Sequence, residues 1–146
     1  MYYCAMKTGL DRYIEAQEHD YAIALREVKA GRKKNHWMWY IFPQIQGLGH
    51  SQTSQYFAIR DLAEARAYLE HPLLGIRLRE ISQALLQVKP PNATHIFGSP
   101  DDLKLRSCMT LFAIADPDAH SVFRQVLDKF FGGRRDPKTE NLLKVL

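Results

Sequence analysis

The most chemically loaded stretch of the chain is His36-Trp37-Met38-Trp39-Tyr40-Ile41-Phe42-Pro43-Gln44, followed by a loop marked by Gly47, Gly49 and Ser51. Indole faces offer stacking surfaces, an amide such as Gln44 pairs with the edge of a base or another amide, and glycine lets the backbone approach a ligand closely. A second block, from Ser99 to Thr110, carries Asp101, Asp102, Lys104 and Ser107. Its carboxylates suit acceptance of ribose hydroxyls or general-base work, with Lys104 balancing the charge. If the fold joins the two blocks, they make a pocket for a nucleotide-like or ribosyl ligand. Trp37, Trp39, Gln44, Ser51, Lys104 and Ser107 would bind it, and His36 and Asp101 would be the first groups to test for hydrolysis or group transfer.

Each of these residues also has an ordinary structural use. The aromatic run can plug a core while Gly47 and Gly49 simply turn the chain. Asp101 and Asp102 suit the positive end of a helix, and two carboxylates there oppose anion binding. His36 and His71 titrate near neutrality and are the candidate proton-transfer groups, yet His36 can be a turn residue and His71 can close a helix before Pro72. The rival to a ligand pocket is a protein-interaction module presenting the His36–Gln44 segment. Nucleic-acid binding ranks last, because the basic groups Arg32, Lys33, Lys34 and Arg134, Arg135 also suit the negative ends of helices.

The elements that must position these groups read as helices. Leu10, Tyr13, Ile14, Tyr21, Leu25 and Val28 recur at helical offsets from Leu10 to Ala30, with capping-box-like spacing of Thr8 and Asp11 and a stop at Gly31. Asp61 and Glu64 open a short helix, and another runs from about Pro72 to Val88 before Pro90-Pro91. Ser99 as N-cap starts a helix from Pro100 to about Ala113, Asp116-Pro117 opens the next, which ends at Gly132-Gly133, and Asp136-Pro137 begins a C-terminal one. The run Trp37–Phe42 has strand-like propensity without alternation. Its only potential strand partners are Tyr2–Met6 and His95–Phe97, so a buried helix or irregular segment is the better expectation. The whole predicts an all-α or nearly all-α single domain over residues 1–146, with six to eight helices and at most short strands.

Composition narrows the classes further. With 46% hydrophobic and 25% charged residues the chain is neither disordered nor a disulfide scaffold. Two cysteines and no secretion-signal pattern suggest the cytoplasm. The longest large-apolar run, Trp37–Phe42, is far short of the ~20 residues a membrane helix needs. No zinc spacing, calcium loop, phosphate loop or nucleophile elbow is present, so neither a metal nor a cofactor is expected.

The His36–Gln44 block, Gly47-Leu48-Gly49 with Ser51, Glu64-Ala65-Arg66-Ala67-Tyr68-Leu69 and Phe97-Gly98-Ser99-Pro100-Asp101-Asp102-Leu103-Lys104 occur in order along nearly the whole chain. In this the sequence resembles a microbial family of unknown function, family 1810 in the series of such domains, some of whose members carry the label calpastatin. The resemblance implies a mainly helical bacterial protein and supplies no activity. Calpastatin acts through flexible segments, whereas this chain has the periodicity of a compact fold, so protease inhibition is not expected. Cys108 stands where the family commonly has Ser, and Phe57 where Tyr is common. A thiol nucleophile would therefore be peculiar to this chain.

Overall fold

The computed structural model describes residues 9–145. Nine helices are present among them: α1 (Asp11–Lys29), α2 (Met38–Ile41), α3 (Gln52–Tyr56), α4 (Leu62–Glu70), α5 (Leu74–Leu85), α6 (Ala93–Phe97), α7 (Asp101–Ala115), α8 (Val122–Phe131) and α9 (Pro137–Val145). Six of them have nine residues or more and three are single turns. The only β pairing among the described residues is one parallel bridge between Ile45 and Ile59, so the fold is all-α as the periodicity predicted.

α7 is the hub, because beyond its first turn it is buried nearly all round: Leu105, Cys108, Met109, Leu111, Phe112 and Ala113 are all fully buried. It packs on α4, α6, α8 and α9, while α5 joins α1, α4 and α8. Where α4 turns into α5, Gly75 lies so close to the Leu69 carbonyl that a Cβ would stand 2.0 Å from its oxygen. Glycine is what allows this approach.

Several helix ends depart from the sequence expectation. α4 begins as predicted, with the Asp61 side chain accepting from the Glu64 amide. α5 begins at Leu74 because the His71 imidazole accepts from the amides of Leu73 and Leu74, doing the work expected of Pro72. Ser99 makes no cap, and Pro100 takes the N-cap position of α7. α8 begins five residues beyond Pro117, capped by Ser121, since Asp116 instead ends α7 and accepts from the Asp118 amide. α3 and α6 escaped the periodicity because five residues do not complete two turns; Ser51 and Asn92 cap them. His95–Phe97 is thus helical rather than strand-like. Thr8 and Tyr2–Met6 lie outside the described residues.

Candidate functional site

The turn after α1 is organised by one carboxylate. Glu27 is buried and accepts from the Lys34 amide (2.7 Å), the Asn35 amide (3.1 Å), the Trp37 indole N–H (2.9 Å) and the Asn35 side chain. Burial alone would raise its pKa, but these four donors outweigh burial and hold it down at about 2. Trp37, thus tethered, is 1% exposed and packs tilted on Phe42 and edge-on to Phe97. Its side chain occupies the core rather than a cavity wall. His36, one residue earlier, is exposed, and its carbonyl accepts from the Tyr40 hydroxyl at 3.4 Å.

The two sequence blocks meet just beyond this turn. The Lys33 amide donates to the Ile96 carbonyl (2.7 Å), which brings the α1–α2 connection against α6 and the start of α7. Asp101 then binds Lys33 through one oxygen and Lys104 through the other, both at 2.9 Å. The Lys33 ammonium lies 5.2 Å from the Trp37 ring centroid, and that of Lys104 lies 3.9 Å from the Trp39 ring centroid. Partial burial opposes ionisation of Asp101, but the two lysines prevail and keep its pKa below the ordinary value. An ionised carboxylate with both oxygens engaged is a poor general base. Among the described residues, no hydrogen bond or ion pair joins it to His36.

From Trp39 the surface continues into a cleft. Trp39, Gln44, Gly49, Ser54 and Phe57 line its narrow inner end, a space of about 10 Å³ that holds at most one water. Gly49 and Ser54 also line the outer cleft, about 550 Å³, with Gln46, His50, Gln55 and Leu142 around it. Two glycines shape it. Gly47 has φ of +100°, a region that favours glycine, and a Cβ on Gly49 would stand 2.4 Å from the Ser54 hydroxyl. Ser51 caps α3 at the rim, its hydroxyl accepting from the Ser54 amide at 3.1 Å. Across Gln55, a second depression of about 590 Å³ is faced by Tyr56 and Phe57.

Ser107 lies away from this surface. It is buried and donates to the Leu103 carbonyl (3.1 Å) and to Asp136 (2.9 Å), which also accepts from the Thr139 hydroxyl (2.6 Å). This cluster anchors the start of α9, whose Leu142 forms one wall of the cleft. Ser107 therefore bears on the cleft through α9 rather than through direct contact. The structure brings together Trp39, Lys104 and Asp101, and separately Trp39 and Gln44; it leaves His36, Trp37 and Ser107 apart from the open cleft. His50, Gln46, Gln55 and Leu142 were not singled out by the sequence reading, although the Gly47–Gly49 spacing immediately before His50 marked the loop. No group of three or more His, Cys, Asp or Glu residues suited to a metal ion occurs among the described residues.

The chain matches the family described as "Protein of unknown function (DUF1810)" over residues 7–143. It is similar in structure to the conserved hypothetical protein Rv1873 from Mycobacterium tuberculosis, with a TM-score of 0.90 and 47% sequence identity over 94% of this chain and 97% of that one. No curated protein matches it.

Proposed function

The chain belongs to the DUF1810 family of proteins of unknown function, and from that premise we propose that it is a cytoplasmic domain that binds a small nucleotide-like or ribosyl ligand in the cleft between the Trp39–Ala58 stretch and α9. The observation that carries this reading is the built shape of the cleft. Its volume of about 550 Å³ falls in the range of small-molecule sites, roughly 300–1,000 Å³. Its loop uses a glycine at positive φ and another that leaves room for no side chain. Trp39 and Gln44 line the inner end, Ser51 caps the helix that carries Ser54, and Lys104, paired with Asp101, lies over the Trp39 ring. The geometry favours binding over turnover, because Asp101 is committed to two lysines and His36 stands apart.

The interaction-module alternative has less to support it. Trp37, Met38, Ile41 and Phe42 are core residues, so the His36–Gln44 segment offers little apolar surface to a partner. No helix among the described residues is long and apolar enough to cross a membrane.

A thermal-shift screen with nucleosides, nucleotides and ADP-ribose-type compounds tests the reading. A ligand at about a hundred times its Kd adds about 2.7 kcal/mol, which raises Tm by roughly 5 to 10 °C for a chain of this length. Gly49→Val, which drives a branched side chain against Ser54 in the wall of the outer cleft, is expected to abolish the shift. A shift of full size in a folded Gly49→Val protein would move the site elsewhere.

A further inference from the structure

The lining of the cleft specifies what it takes, on the reading that it is a ligand site. Its polar side chains are the amides of Gln46 and Gln55, the His50 imidazole and the Ser54 hydroxyl, whose proton goes to the Ser51 carbonyl and which keeps only acceptor capacity for a ligand. Amides both donate and accept, which matches sugar hydroxyls and unlike a lysine or arginine offers no fixed positive charge to a phosphate. The cations close by are already committed: buried Arg12 donates to the Tyr56 and Ala58 carbonyls and pairs with Glu64, while Lys33 and Lys104 are shared out on Asp101 and on the two indole rings. The Ser54 amide is already taken by Ser51. A phosphate pressed into this cleft would lose water without gaining a counter-charge, and that is costly.

The second depression supplies the complementary surface. Gln55 lines both spaces, and its side-chain N–H donates to the His50 carbonyl at 3.2 Å, which orients its amide between them. On the far side, the rings of Tyr56 and Phe57 meet edge-on with centroids 4.8 Å apart and face a space of about 590 Å³. We infer that the site takes an unphosphorylated nucleoside-type ligand: its sugar in the polar cleft beside Gln46, His50 and Ser54, its planar base against Tyr56–Phe57, and Gln55 reading the junction. Any phosphate projects into solvent and adds nothing to affinity.

Isothermal titration of the full chain with adenosine and uridine, and with their 5′-monophosphates, tests this. Each nucleoside and its monophosphate are expected to bind within about threefold of one another, because a phosphate in solvent gains no charged hydrogen bond. Gln55→Ala is expected to weaken nucleoside binding about tenfold, the loss of one or two neutral hydrogen bonds. Thr53→Trp, at an exposed position lining the aromatic depression, fills that space without touching the core and is expected to weaken binding likewise; it keeps the test intact if Gln55→Ala folds poorly. A monophosphate binding about tenfold or more tighter than its nucleoside overturns the inference while leaving the pocket reading in place. So does nucleoside binding that both folded variants leave unchanged, or a thermal shift given only by ADP-ribose-type compounds. No response to any of these compounds overturns both.

Discussion

At the scale of single residues, two buried groups have roles set by their surroundings rather than by their intrinsic chemistry. Glu27 is ionised in the core because four donors converge on it. Its folded pKa of about 2 lies below the ordinary value of 4.5. The stabilisation from that difference is complete above the ordinary carboxylate range and is lost as pH falls from about 5 towards 2, an amount on the order of 2 to 3 kcal/mol. Urea denaturation across this window should show the loss, and Glu27→Gln should flatten it while lowering stability at neutral pH by about 2 kcal/mol. An unchanged acid slope in the variant would remove Glu27 from this role. Cys108 is fully buried on α7, and burial pushes its thiol pKa well up. In a Cys4→Ser background it should resist a thiol reagent until the protein unfolds, and Cys108→Ser should keep ligand binding at a cost of about 1 kcal/mol. Rapid native-state labelling would show that the thiol is reachable.

At the scale of elements, the close junctions are made by absent side chains and by polar anchors. Gly75→Ala would drive a methyl into the Leu69 carbonyl, with which it would overlap at 2.0 Å. The end of α4 must then move off α5, and a loss of about 2 to 3 kcal/mol is expected, seen as a lower urea midpoint at unchanged m. A neutral outcome would mean that the α4–α5 turn relaxes freely. Helix existence was readable wherever an apolar stripe ran for several turns, as in α1, α5 and α7. Helix starts were less readable, because more than one residue competes for each cap. Asp116 and Ser121 are both good N-caps, and Asp116 is drawn to Arg79 at 3.5 Å and to the Asp118 amide, leaving Ser121 to start α8.

At the scale of the molecule, the packing of α6 and α7 on the α1–α2 connection ties the two chemistry-bearing blocks together. Lys104→Gln removes one ion pair to Asp101 and the cation above Trp39. It is expected to cost about 1 kcal/mol and to shift Trp39 emission, with Lys104→Arg restoring both. If emission is unchanged in Lys104→Gln, Lys104 does not hold the ring. The sequence by itself determined the all-helical class, most helix bodies and the kinds of side chain available to a site, because periodicity, caps and side-chain chemistry are local properties. Only the tertiary structure decided their use. Trp37 and Ser107 went to internal hydrogen bonds, His36 to an exposed turn, and His50, Gln55 and Leu142 to the cleft. Those assignments depend on which residues distant in sequence come to lie side by side, as when a backbone bond from Lys33 to Ile96 sets Lys33 beside Asp101. No spacing along the chain encodes that proximity, since it arises from how whole helices share one buried core.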